Sequence, residues 1–228
     1  MPDRTDAQSF DRIAEQYERL HELRGGGPGR WLPTVLTAGG GRALDLGCGA
    51  GRHAVVLAER FAHVDAVDLS GPMIELARAR RARDNISYRR ADLLNVEATD
   101  RYDFVLSVAT LHHVPDLRAA LRHIKSLIAP GGRAVLADTV SPRPANPRWW
   151  LYGGEVRRLL RDLVRRGPAE AGEIFRLSTG AWLDHRVSDR YLSREQFERI
   201  YREVFPTARF QDVGPHVMIW DADPRAPR

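Results

Sequence analysis

Residues 41–52, Gly-Arg-Ala-Leu-Asp-Leu-Gly-Cys-Gly-Ala-Gly-Arg, constrain this chain more than any other stretch. A short apolar run, Ala43 to Leu46, carries one acid, Asp45, and breaks into three glycines on alternate positions. A helical pattern from His53 to Arg60 follows at once. The order is strand, glycine turn, helix. Glycine is needed where the backbone takes φ > 0 or lets another molecule approach without a Cβ in the way. The helix start behind the turn presents unpaired N–H groups to an acceptor or anion. A phosphate loop is excluded, because the chain contains no Gly-Lys pair, and the dinucleotide fingerprint G-x-G-x-x-G has a different spacing. Taken alone, the turn would suit any α/β protein.

Its flanks narrow the choice. Asp45-x-Gly47-x-Gly49-x-Gly51 after a strand resembles motif I of the class I S-adenosylmethionine-dependent methyltransferases. The next acid at a strand end, Asp68 in Val64-Asp-Ala-Val-Asp-Leu-Ser70, stands where that family binds the cofactor ribose. The likeness is to the small-molecule, ubiquinone- and menaquinone-methyltransferase-like type and runs to about Gln211. It implies S-adenosyl-L-methionine as cofactor and a seven-stranded, Rossmann-like, doubly wound α/β sheet, mostly parallel with a terminal antiparallel strand. It also implies cofactor contacts from Asp45, Gly47, Cys48, Gly49, Asp68, Leu69 and Val108, and a place near adenine or ribose for Met73. Asp92, after the strand Ile86–Arg90, would face the adenine amino group, with Leu93 contributing backbone. The N-terminal pattern Phe-Asp-x-x-Ala-x-x-Tyr would fold over the cofactor and bring Tyr17 to its methionine end. Core packing is the competing reading for Tyr17 and Met73. Cys48 reads as a small turn-filling residue rather than a nucleophile, since no basic neighbour would lower its pKa.

The chain has 228 residues, 43% hydrophobic and 29% charged, which fits one domain with a single sizeable core. No apolar run approaches the roughly 18 residues of a membrane span. The polar N-terminus lacks a signal core, and the single cysteine forbids an internal disulfide. Those features predict a cytoplasmic protein, monomeric or homodimeric. The net charge of +5 is the excess of 35 basic over 30 acidic residues, and only one of the basic residues is a lysine, Lys125. The arginines are scattered, without a dense stretch of interleaved aromatics, which argues against a nucleic-acid partner.

Along the chain, Gln8 to Leu20 predicts an amphipathic helix with Phe10, Ile13, Ala14, Tyr17 and Leu20 on one face and Ser9 as its cap. Gly25 to Gly29 predicts a hinge, so that residues 1–30 form a lid and residues 31–228 the methyltransferase domain. Trp31–Ala38 predicts a helix, Ala62–Val67 a strand, and Met73–Arg83 a helix opened by Pro72. Tyr102–Ala109 predicts a buried strand, Leu117–Ala129 a helix and Ala134–Asp138 a fifth strand. Thr110-Leu-His-His-Val-Pro-Asp116 follows the buried strand and resembles motif IV of the family, whose strand end faces the transferred methyl. His112 and His113 are therefore the candidate general bases, His112 expected nearer the cofactor.

Residues 141–190 break the alternation, with a basic helix from Glu155 to Arg166; the resemblance implies a helical cap over the acceptor here, since family members build their substrate cover at this place. Its aromatics, Trp149-Trp150 among them, could line a pocket. Arg157, Arg158, Arg161, Arg165 and Arg166 read as spread round that helix. Asp184-His185 is a remote candidate for an acid–base pair in a loop. Ser193 with Gln196 predicts a capping box on the last helix, and Ala208–Val213 with Val217–Trp220 a terminal hairpin.

The family resemblance, with the aromatic cap, implies methyl transfer to a small-molecule acceptor, on oxygen, carbon or nitrogen, with a phenolic or secondary metabolite favoured and no metal required. The alternatives are an RNA or tRNA methyltransferase and a cofactor-binding member that transfers no methyl. A short-chain oxidoreductase is excluded, because Lys125 has Leu121 rather than tyrosine four residues before it.

Overall fold

The computed structural model describes residues 5–25, 30–36, 39–97 and 101–225. Helix α1 (Thr5–Leu23) and the short α2 (Leu32–Val35) precede β1 (Arg42–Leu46), α3 (Arg52–Ala58), β2 (His63–Asp68), α4 (Gly71–Arg81) and β3 (Ile86–Arg90). Then come β4 (Tyr102–Val108), α5 (Leu117–Ser126) and β5 (Ile128–Asp138). Three helices intervene, α6 (Arg148–Arg166), α7 (Pro168–Thr179) and α8 (Ala181–Ser188). The chain closes with α9 (Arg194–Val204) and the strands β6 (Arg209–Asp212) and β7 (His216–Asp221).

The strands form one seven-stranded sheet in the order β3-β2-β1-β4-β5-β7-β6. The first five are parallel, and β7 runs antiparallel to both β5 and β6. This is the doubly wound sheet that the sequence predicts. Its central strands are buried on both faces, as parallel strands covered by helices must be. One face packs Leu57, Ile74 and Phe104 under α2, α3 and α4; the other packs Leu121, Ile124, Phe197 and Tyr201 of α5 and α9. From β1 the chain winds outward through β2 and β3, then returns to β4 on the opposite side. The carboxyl ends of β1 and β4 thus flank the switch point where open α/β sheets bind ligands.

Local chemistry sets the element ends. Ser70 accepts the Met73 N–H to cap α4 beside Pro72, and Ser193 with Gln196 makes the expected capping box on α9. Other boundaries differ from expectation. Helix α1 begins at Thr5, so Ser9 lies inside it rather than at its cap. The helix read through Ala129 stops at Ser126, and Pro130-Gly131-Gly132 belong to β5, where its register with β4 shifts between Tyr102 and Phe104. Only Leu32–Val35 of the Trp31–Ala38 helix forms; Thr37 and Ala38 lie outside the described residues, as do Gly26 to Gly29 of the expected hinge. Helix α6 starts at Arg148, well before Glu155, because Gly153-Gly154 sits inside it. Interior glycines weaken an isolated helix by about 1 kcal/mol each; packing of α6 on α7 and α8 overrides that cost.

Candidate active site

The glycine turn is built by its neighbours. The Gly47 and Cys48 N–H groups donate to the Val67 carbonyl at 2.8 and 3.0 Å, tying the turn to the end of β2. Gly47, Gly49 and Gly51 all have positive φ. A Cβ on Gly47 would overlap the Thr110 side chain, whereas one on Gly49 would meet no atom within 4 Å. Gly47 is glycine because Thr110 presses on it; above Gly49 the space is open. Cys48 is buried, and burial pushes its thiol pKa well above the ordinary value, with Asp45 and Asp68 adding to the effect.

Two carboxylates stand beside this turn. Asp68 accepts the Gly49 N–H on Oδ2 and the Ser70 N–H on Oδ1, both at 2.8 Å. A carboxylate has about four acceptor sites, so two remain. Burial raises its pKa against the pull of those two bonds. Asp45 is 1% exposed, and its Oδ2 has no hydrogen-bond partner. Burial, with Asp68 nearby, raises its pKa to about 7. Leu69 is exposed, and Asp92, Leu93 and Val108 are half-buried. Asp92 spends one oxygen on the Leu94 N–H at 2.9 Å.

Helix α1 lies over this end of the sheet. Ala14 packs with Ala50 and Met73, and Phe10 and Tyr17 pack against that cluster. Met73 is 1% exposed. Burial raises the Tyr17 phenol pKa to about 12, with Arg52 opposing. The anchor of α1 is Glu18, fully buried, which pairs with Arg52 at 2.9 Å and with Arg81. Arg81 also donates to the Ala50 carbonyl at 2.8 Å. A glutamate on an otherwise polar helix face carries no sequence signal of such a role.

The histidines lie across the crevice, after β4. Asp138, the last residue of β5, accepts the His112 ring Nδ1–H at 2.7 Å and the His112 backbone N–H at 3.0 Å. Burial works against the proton on His112, but the hydrogen bond and charge of Asp138 outweigh it and hold the pKa above its ordinary value. His113 has no such partner. Burial, with His112 and His185 adjacent, lowers its pKa to about 2. The His112 and His113 rings touch at a tilt of 45°, with 3.9 Å between centroids.

The cap completes the cluster. Asp189, 4% exposed, receives the Tyr191 hydroxyl on Oδ2 at 2.6 Å. Its Oδ1 lies 3.5 Å from His185 Nε2, 3.9 Å from His112 Nε2 and 4.0 Å from His113 Nδ1. Ligand atoms of His112, His113 and Asp189 lie within 4.8 Å of one another, close enough for one ion. The sequence pointed to no such grouping, because the residues come from distant segments. The Phe10 ring contacts both His113 and His185, Trp182 stacks on His185, and Tyr17 packs on Phe10 and Trp182.

Several expectations for the cap are corrected. Asp184 and His185 lie in α8 rather than a loop, and they point apart: Asp184 is exposed and pairs with Arg148, whereas His185 is buried against Asp189. The aromatic that reaches the site is Trp182; Trp149 is 75% exposed on α6.

Residues 43–132 match the model of the methyltransferase domain family. The chain is 36% identical over 133 residues to an uncharacterized methyltransferase of Mycobacterium tuberculosis, covering 56% of this chain and 68% of that protein. This chain belongs to the class I S-adenosylmethionine-dependent methyltransferases. A ubiquinone biosynthesis O-methyltransferase of Stutzerimonas stutzeri is 29% identical over 180 residues, 76% of this chain and 74% of that protein. A solved methyltransferase in complex with S-adenosylhomocysteine, DhpI, shares the fold with a TM-score of 0.64 at 19% identity, over 94% of this chain and 92% of that one. The cofactor of this methyltransferase is S-adenosylmethionine. Among the described residues, no helix is long and apolar enough to cross a membrane.

Proposed function

We propose that this methyltransferase acts on the hydroxyl of a small, phenol-like acceptor, held between the crevice and a cover made of α1 and residues 141–190. The observation that carries the reading is the His112–Asp138 pair. Asp138 takes the Nδ1–H, which fixes the tautomer and leaves Nε2 as a proton acceptor facing the cap. The curated O-methyltransferase relative supports an oxygen acceptor.

The residues present fit the cofactor. Open space stands above Gly49, two acceptor sites of Asp68 remain for ribose hydroxyls, and the unpartnered Oδ2 of Asp45 offers a carboxylate to a cation. Asp92 keeps one oxygen for an exocyclic amino group, with Leu69, Leu93 and Val108 along the same edge and Tyr17 above. When bound, S-adenosylmethionine supplies an electrophilic methyl on a sulfonium. The chain aligns the acceptor, excludes water beneath Phe10, Tyr17 and Trp182, and draws off the hydroxyl proton through His112 Nε2.

The test is incubation with methyl-labelled cofactor and matched phenols, catechols and amines. O-methylated product should form, and His112→Ala should lower turnover by about 10²- to 10⁴-fold while cofactor affinity stays. Transfer to nitrogen or carbon alone, or unchanged turnover in the variant, refutes the reading.

A further inference from the structure

Helix α6 is built inside out. Its buried residues are Leu151, Glu155 and Asp162, two of them acids. Glu155 is held between Arg24 at 2.9 Å and Arg186 at 2.8 Å. Its solvent side is the apolar one. Val164 is 88% exposed and Leu160 61%, with Trp149, Tyr152 and Leu163 also exposed. At 100° per residue these five fall on one stripe about a third of the way round the helix. Single exposed apolar residues are normal, but five on one helix face are a patch that calls for a partner.

A second stripe runs beside the first. Arg157, Arg161 and Arg165 are exposed at i, i+4 and i+8, and among the described residues Arg157 and Arg165 pair with no carboxylate. Arg158 and Arg166 turn away, toward Glu155 and toward Glu170 and Asp162. The five arginines are thus sorted by partner rather than spread evenly.

We propose that this face of α6 docks on an anionic lipid bilayer, with Trp149, Tyr152, Leu160, Leu163 and Val164 entering the headgroup–acyl boundary and the three arginines meeting lipid phosphates. Aliphatic and tryptophan side chains on one face with arginines along its border are the make-up of a helix lying in the interface. The arginine stems can lie along the apolar layer while the guanidinium groups stay at the phosphates. A second copy of the chain fits worse. An antiparallel isologous contact sets each arginine row near its twin, and in either orientation α6 offers those arginines no free acid, since Glu155 and Asp162 are buried and already paired. RNA would meet the arginines but gain nothing from Leu160 and Val164. Resting on the phenol-like acceptor reading, docking sets the cap toward the layer in which an apolar acceptor dissolves: α6 packs on α8, which carries Trp182 and His185 to the site.

Flotation of the whole protein with phosphatidylcholine vesicles, with and without a third phosphatidylglycerol, tests the docking. The protein should float with the anionic vesicles and be released by salt. Each arginine near such a surface contributes roughly fivefold, so replacing Arg157, Arg161 and Arg165 by glutamine should weaken partitioning about a hundredfold. Leu160→Asp with Val164→Asp should abolish it. Both variants change outward residues only, and unchanged calorimetric titration with S-adenosylhomocysteine certifies their fold. Absence of flotation, flotation indifferent to lipid charge, or a dimer dispersed by these substitutions overturns the proposal. Transfer to water-soluble phenols without vesicles is read separately, so failed docking and a failed acceptor assignment are distinguishable.

Discussion

Gly49→Ala should leave the fold standing and damage the cofactor site, and the magnitudes follow from the turn. An alanine in left-handed backbone costs about 1–2 kcal/mol. No protein atom lies within 4 Å of the new methyl, so no packing cost is added. For a chain of this size the strain lowers Tm by about 2–8 °C. Gly47→Ala bears the same strain, and its methyl overlaps the Thr110 hydroxyl and methyl. Overpacking adds about 1–3 kcal/mol, so its Tm should fall by about 4–20 °C. The binding cost at Gly49 arises only if the cofactor fills the space above it. A displacement of about 1.4–2.8 kcal/mol then weakens S-adenosylhomocysteine by about ten- to a hundredfold. Differential scanning fluorimetry reads the stabilities and calorimetric titration the affinities. A Gly49→Ala protein that binds S-adenosylhomocysteine as the parent does would show that the open space is not the cofactor site.

Four further outcomes follow from the same geometry. His112 accepts a proton only when neutral, so turnover should rise with pH with a midpoint above the ordinary histidine value; Asp138→Asn should lower both midpoint and plateau, and an unmoved midpoint would refute the pairing. Asp45, with its folded-state pKa raised to about 7 by burial and by Asp68, contributes stability that is fully present at low pH and is lost as pH rises from the ordinary aspartate range through about 7; Asp45→Asn should flatten the fall in Tm between about pH 4 and pH 7, and equal slopes would count against it. Glu18→Gln leaves Arg52 and Arg81 facing an uncharged partner at a buried position and should cost about 3 kcal/mol, seen in denaturant titration; no change would mean α1 is held by its apolar face alone. Exhaustive chelation should leave turnover intact if His112 is a base, whereas loss restored by zinc would make His112, His113 and Asp189 ligands.

The sheet was legible because its signals are local. An apolar run ending in alternate glycines, a second run ending in Asp68, and a third ending in His112-His113 each carry their turn chemistry within a few residues. The family resemblance then supplied their order in space. The site's second half was not legible. Asp138 ends β5 as an ordinary acid, and only parallel pairing of β4 with β5 sets it beside His112. Asp189 and Tyr191 look like surface residues of a long insertion, and Glu18 sits on a polar-looking helix. Each works through a contact distant in sequence. Helix α6 misled for another reason: Gly153-Gly154 imitates a helix boundary, and its acids face inward where periodicity expects apolar residues.

The lid helix and the cap are stitched together by arginines. Arg24, just past α1, donates to Glu155 of α6 and Ser178 of α7; Arg19 pairs with Glu173 of α7 at 2.8 Å, and Arg166 of α6 donates to the Leu23 carbonyl at 2.7 Å. The two segments are distant in the chain, yet each supplies charged partners to the other. Residues 141–190 are therefore not a transplantable specificity module by themselves. A chimera that moves this cap to another methyltransferase core must carry α1 through Arg24 with it, or it will bury Glu155 without one of its two close counterions.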